Sequence, residues 1–216
     1  MGSRGNLRPS DELAISWEQF APFERMVEED LPCARPERAL FDETRRCGSL
    51  RSAVVAVDMA CAAGLITKDE FVAYVERRNA WTGVPFVRKA LPLVDPGSMS
   101  PQESLMRLAW VIDAGLPVPL CNEDVFGDDG NFLGRPDLFC PEVGLVGEYD
   151  GANHLLDDRR RRDREREERF RDHGLEYVVV VKGELARPGL VARRLRAAYY
   201  RALDTPRPQR WRLKAA

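Results

Sequence analysis

The chain has 216 residues, of which 44% are hydrophobic and 31% charged, and its formal net charge is −2. Those proportions fit a folded globular protein of one large domain or two small ones. No apolar run approaches the roughly 20 residues needed to cross a bilayer, and the start lacks the basic-then-apolar layout of a secretory leader. The five cysteines, Cys33, Cys47, Cys61, Cys121 and Cys140, form no C-x-x-C pair, and with only two histidines they argue against a structural zinc site. The expectation is a cytoplasmic protein, not associated with membranes, whose thiols are reduced and mostly buried.

Residues 1–34 are polar and irregular, with Trp17, Phe20 and Phe23 as candidate anchors. A small helical domain is expected over 35–95. Its first helix starts near Arg35-Pro36-Glu37, where proline suits the first turn, and ends at Gly48. A second runs from Leu50 to Ala63, with Leu50, Val54, Val57 and Cys61 at helical spacing, and stops at Gly64. Thr67 and Glu70 form a capping box for a third, and a short fourth spans Val84 to Leu93. Asp42 and Asp58 read as capping or pairing residues of this bundle.

Asp95-Pro96-Gly97 breaks the pattern and marks a boundary, after which a second domain is expected over 96–205, with a tail at 206–216. Ser100 caps a helix with Pro101 in its first turn and Glu103 at the third position. Leu105, Leu108, Ala109 and Ile112 are its expected buried stripe, and Gly115 ends it. Extended segments follow at Pro117–Cys121, Glu123–Phe126, Phe132 to Phe139 and Leu145 to Tyr149. A charged helix from Asp157 to His173 closes at Gly174. Leu175 to Val181 is a continuous apolar strand, and Leu190 to Leu203 a last amphipathic helix. This order predicts an α/β architecture in which helices flank a mixed sheet, behind a small helical domain.

Acids gather where the extended segments end. Asp137 opens one half of a hairpin, and Glu148-Tyr149-Asp150-Gly151 closes the other, eleven residues on. Strand alternation puts Glu148 and Asp150 on one face and Tyr149 on the other. Carboxylates crowded in this way repel one another unless a hard cation neutralises them, and Mg²⁺ prefers such oxygen ligands. Glu103, Asp137, Glu148 and Asp150 are therefore the candidate metal and catalytic acids. His154, just past Gly151, is placed as a general base or a phosphate contact. Any one of these acids taken alone reads as an ordinary turn or strand-end residue, so the weight rests on the joint pattern.

Residues 155–216 hold 18 Lys and Arg against 10 Asp and Glu, a local surplus of 8 beside that acidic segment. A basic half next to an acidic site suits a protein that cleaves phosphodiesters. In the charged helix, Arg159, Asp163, Arg166 and Phe170 share an arc that faces the body of the protein. This turns Arg159 and Arg166 towards the acids, where they can pair with a carboxylate or grip a phosphate. Arg160, Arg161, Arg162, Arg164 and Arg171, and Lys182 beyond the helix, are candidate contacts to a nucleic-acid backbone. The competing reading has these arginines paired with Glu165, Glu167 and Glu168 along a solvated helix. His173 is read as complementing the helix C-terminus.

From Ser100 to Leu203 the chain resembles the very-short-patch-repair-like endonuclease domains of the PD-(D/E)xK superfamily. The likeness rests on Ser100-Pro101-x-Glu103-Ser104-x-x-Arg107, Gly115-Leu116-Pro117-x-Pro119, Pro136-Asp137 and Glu148-Tyr149-Asp150-Gly151-x-x-His154, followed by a basic helix and a buried strand. It implies a restriction-endonuclease-like fold and a DNA endonuclease or nickase that uses Mg²⁺ or Mn²⁺. Asp137 would be the principal metal ligand, Glu148 the second acid and Glu103 the helical acid. Asp150 stands where the superfamily usually has lysine, a role that Lys182, His154 or an arginine of the basic helix would have to supply. A single site that cuts both strands implies a homodimer or two encounters. Residues 35–58 are more faintly similar to the helical region of abortive-infection type IV antitoxins, which implies a cognate toxin or a DNA-reading domain as partner. No winged-helix pattern is evident in residues 1–35. The alternative to an enzyme is an inactive, antitoxin-like regulator that binds nucleic acid on a nuclease fold.

Overall fold

The computed structural model describes residues 15–16, 18–151, 157–204 and 207–214, apart from the side chains of 157–160, 162, 163 and 188. Trp17 and His154 lie outside the described residues. The segment expected to be irregular contains a 3-10 turn, Pro22–Glu24, and a hairpin of β1 (Arg25–Glu28) and β2 (Leu31–Ala34). Glu29 and Asp30 close the hairpin at φ 47° and 65°, the left-handed region that a tight two-residue turn requires. Phe23 is 72% exposed and anchors nothing, whereas Phe20 packs on the Arg38 guanidinium at 4.2 Å.

Four helices follow: α1 (Pro36–Arg46), α2 (Leu50–Ala62), α3 (Lys68–Glu76) and α4 (Val84–Ala90). Phe41, Val54, Val57, Phe71 and Val87 form their common core. The Thr67–Glu70 capping box is reciprocal: Thr67 Oγ1 accepts from the Glu70 N–H at 3.2 Å, and Glu70 Oε2 accepts from the Thr67 N–H at 2.8 Å. The side of the bundle is closed by Glu24, whose carboxylate takes Arg38 at 2.9 Å and Arg78 and the Tyr74 hydroxyl at 2.7 Å each. Burial alone would push this carboxyl up, but Tyr74, Arg78, the Ala21 N–H and Arg38 outweigh it and hold it at about 2.

Helix α5 (Pro101–Leu108) starts at Ser100, whose hydroxyl accepts from the Glu103 N–H at 3.2 Å, and continues as a π-turn over Ala109–Asp113. The expected stripe needs correction here. Ile112 is 44% exposed and Leu105 only half-buried, while Met106 and Trp110 are fully buried. The helix lies between two cores: Leu108 belongs to that of the bundle, and Met106, Ala109 and Trp110 to that of the sheet. Arg107, one turn after Glu103, is buried. It reaches Asp58 of α2 at 2.6 Å, with further bonds to the Leu93 carbonyl at 2.6 Å and Ser98 Oγ at 3.2 Å. A buried ion pair thus spans the segment 95–97 that the sequence marks as a boundary.

The remaining elements are β3 (Leu120–Cys121), β4 (Val125–Gly127), β5 (Phe132–Gly134), β6 (Leu138–Cys140), β7 (Leu145–Asp150), α6 (Asp157–Asp172), β8 (Glu176–Val181), α7 (Pro188–Asp204) and β9 (Trp211–Leu213). The main sheet has the order β3-β6-β7-β8, antiparallel up to β7 and parallel between β7 and β8. Leu138, Leu145, Val178 and Val180 face α5 and α7, while Phe139, Val146 and Tyr177 face Phe170 of α6. A second sheet, β5-β4-β9, borders the α6 side. The protein is a mixed α/β structure with helices on both faces of a mixed sheet.

Two expected segments differ. Phe132 to Phe139 is not one strand but β5 and β6, which lie in separate sheets and part at Arg135-Pro136-Asp137, where Pro136 has no N–H to give to a ladder. The expected tail contains β9, pinned by Trp211 edge-on to Phe139 at 4.9 Å. Of the cysteines only Cys140 is buried; Cys33 is exposed and Cys47, Cys61 and Cys121 are half-buried. Among the described residues no helix is long and apolar enough to cross a membrane.

Candidate active site

The β6–β7 register pairs Leu138 with Gly147 and Phe139 with Val146. By alternation Asp137, Glu148 and Asp150 fall on the α6 face, and Tyr149 turns into the opposite core. Asp137 precedes β6, and its Oδ2 accepts the Tyr149 N–H at 2.7 Å. Burial pushes the Asp137 carboxyl up to about 6; the Tyr149 N–H opposes the rise, the charge of Glu103 adds to it and Arg166 relieves it. Asp137 and Glu103 are thus electrostatic neighbours, although they belong to different elements.

Glu103 is held in place from two sides. Its Oε2 accepts the Met99 N–H at 2.8 Å and Asn122 Nδ2 at 2.7 Å. Asn122 has φ 54°, and its own N–H donates to the Asp137 carbonyl at 3.2 Å. It therefore ties the α5 acid to the β6 acid, a role the sequence reading missed. The local signal was an asparagine just after an extended segment, a residue that tolerates the left-handed region.

Glu148 is engaged from the helix and from β8. Arg166 Nη2 lies 2.7 Å from Oε1, and the Tyr177 hydroxyl donates to Oε2 at 2.7 Å. Burial and the charge of Glu148 raise the Tyr177 hydroxyl well above the ordinary phenol range, so it remains a donor. Arg166 also donates to the Arg135 carbonyl, while its Nε, above Gly134, has no hydrogen-bond partner among the described residues. Tyr177 was not foreseen, because nothing local in Tyr-Val-Val-Val-Val says which residue lies beside Glu148.

Asp150 ends β7 half-buried, and its carbonyl accepts the Lys182 N–H at 2.9 Å. The Lys182 side chain is exposed at the same end of the sheet. Arg159, Arg160 and Arg162 lie on α6, but their side chains are outside the described residues. Arg161 pairs with Glu165 at 2.8 Å and Arg171 with Glu167 at 2.8 Å along the helix, as the competing reading of these arginines has it. His173 Nδ1 bonds to the Arg169 carbonyl at 2.7 Å, at the helix C-terminus as expected.

Asp137 and Glu103 offer the hard oxygen donors that Mg²⁺ takes, and their mutual repulsion is what a cation would relieve. Among the described residues the trio whose ligand atoms all lie within 4.8 Å of one another is a different one, Asp128, Asp129 and His173. Glu103, Asp137 and Glu148 do not form so tight a set while Glu148 is held by Arg166 and Tyr177. No protein-family model, curated protein or solved structure matches this chain.

Proposed function

We propose that the protein is a metal-dependent DNA endonuclease or nickase, acting with Mg²⁺ or Mn²⁺ on a restriction-endonuclease-like core. The observation that carries this reading is the Asp137 carboxyl, tied to the Tyr149 N–H and raised to about 6 by burial beside Glu103. Perturbed acids gather at working sites, and this one lies at a strand end beside a second acid. The order α5, three antiparallel strands, α6 and then a parallel strand supports it, as does the basic surplus of residues 155–216.

In this reading Asp137, Glu103 and Glu148 would hold the cation, and Arg166, now on Glu148, is the side chain available to an incoming phosphate. The bound cation supplies activation of a water and charge relief on the scissile phosphate. Asn122 and the Tyr149 N–H keep the two acids oriented. Arg166, with its unpartnered Nε, grips the phosphate. Asp150 assists at the strand end, with Lys182 beside it and His154 as the proposed proton carrier. Arg159, Arg160 and Arg162 extend the contact along the DNA backbone.

A second reading, a non-catalytic regulator that binds nucleic acid, is favoured by the double engagement of Glu148 with Arg166 and Tyr177. Supercoiled plasmid incubated with Mg²⁺ or Mn²⁺ separates the two. Nicking that is abolished in Asp137→Ala supports the enzyme; binding that persists in EDTA without cleavage at any metal concentration supports the regulator.

A further inference from the structure

We propose that Asp128, Asp129 and His173 form a site for a divalent transition cation of the zinc class, remote from the acidic site. Their ligand atoms all lie within 4.8 Å of one another. The two aspartates sit in the turn between β4 and β5, and His173 just follows the last residue of α6. Because β7 and β8 are parallel, α6 must run back along the sheet, which puts its C-terminus at the opposite end from Asp150.

Two further observations bear on a ligand. The first is the orientation of the imidazole. His173 Nδ1 bonds to the Arg169 carbonyl at 2.7 Å, which leaves Nε2 as the ring nitrogen near the aspartates. A backbone carbonyl on the remote ring nitrogen is the usual partner of a metal-bound histidine. The second is Gly127. A Cβ there would stand 2.5 Å from Asp129 Oδ1 and 3.0 Å from His173 Nε2, so both donors converge over the same stretch of backbone.

The turn is also rigid. Asp129 accepts the Asn131 N–H at 2.9 Å and Asn131 Nδ2 at 2.7 Å, and the Asp128 N–H donates to the Arg210 carbonyl at 3.0 Å. Arg210 competes for the turn, with Nε 3.7 Å from Asp128 Oδ2 and both side chains more than half exposed. Such a pair is weak. One imidazole and two carboxylates suit Zn²⁺ or Co²⁺ better than Mg²⁺, and leave a position for water. Scarcity of histidine and the cysteine pattern hide this set from a sequence reading, since two of its ligands are aspartates. A cation here would staple the end of the basic helix to the β4–β5 turn and the segment that leads into β9.

The test is a Co²⁺ titration of the whole chain, followed by visible absorption, with thermal midpoints recorded alongside Zn²⁺. In Asp137→Asn, which removes the other candidate site, one Co²⁺ site without a thiolate charge-transfer band is expected, and the wild type should bind at least that one. His173→Gln and, separately, Asp129→Asn should each weaken binding by at least about tenfold, the lower bound even for loss of an outer-sphere partner. Zn²⁺ should raise the wild-type midpoint and leave that of His173→Gln in place. No binding, a thiolate band, or equal affinity in wild type and both variants overturns the proposal.

Discussion

Arg166 Nη2 stands 2.7 Å from Glu148 Oε1, while the Tyr177 hydroxyl holds the other oxygen of the same carboxylate. One side chain of the basic helix therefore occupies an acid of the candidate site. Arg166→Met should destabilise the fold by about 1.5–3 kcal/mol, the range for hydrogen bonds to charged groups. It should also lower DNA affinity and reduce the salt slope by about 0.9, one phosphate contact. Urea unfolding and binding at several salt concentrations check both; an unchanged slope removes Arg166 from the DNA surface.

Asp137 makes stability depend on pH in an unusual direction. Its folded value of about 6 lies above the ordinary 3.8. The folded state therefore holds the proton more tightly than the unfolded chain. That contribution is full below about pH 4 and lost as pH rises through 6. The gap corresponds to about 3 kcal/mol, an upper figure. In EDTA, Asp137→Asn should be more stable than wild type at pH 8, with the advantage shrinking by pH 4. Equal stability of the two proteins at pH 8 contradicts the burial argument.

Glu24 works in the opposite sense. Held at about 2 against an ordinary 4.5, it stabilises the fold above pH 4.5, and the gain disappears as pH falls towards 2. Glu24→Gln should flatten the wild-type loss of stability between pH 5 and pH 2, measured by thermal unfolding in that window. A curve of unchanged steepness would remove Glu24 from the acid response.

The Arg107–Asp58 pair is a buried charge contact between α5 and the helical bundle, 2.6 Å long with side chains 3% and 0% exposed. Removing one partner strands the other, so Arg107→Met should cost about 3–5 kcal/mol. Adding Asp58→Leu should recover much of that loss, because a buried pair replaced by apolar groups is often neutral. Failure of the double variant to exceed the single one would show that the other bonds of the pair, Arg107 to the Leu93 carbonyl and Ser98 or Asp58 to the Asp95 N–H, outweigh the ion pair.

Local signals carried much of the architecture. Ser100-Pro101, Thr67–Glu70 and the punctuation around Leu138–Asp150 each encode an element within a few residues, and those elements form as read. What failed depended on partners far along the chain. Ile112 is apolar and on the expected stripe, yet the π-turn at Ala109–Asp113 and the two-sided packing of α5 leave it exposed. Trp211–Leu213 is too short to announce a strand, and becomes one only because β4 offers an edge. At the site, the shared face of Glu148 and Asp150 followed from alternation, and the inward arc of Arg166 from helical spacing. Asn122 and Tyr177 were not legible, because their roles arise from β3 meeting α5 and from β8 lying beside β7.

Anomalous scattering from a crystal grown with Mn²⁺ tests the central claim most directly. The account predicts a peak bridged by the carboxylates of Asp137 and Glu103, lost in Asp137→Asn. Density confined to other sites, with Asp137 still bound to the Tyr149 N–H and Glu148 still clasped by Arg166, would contradict it.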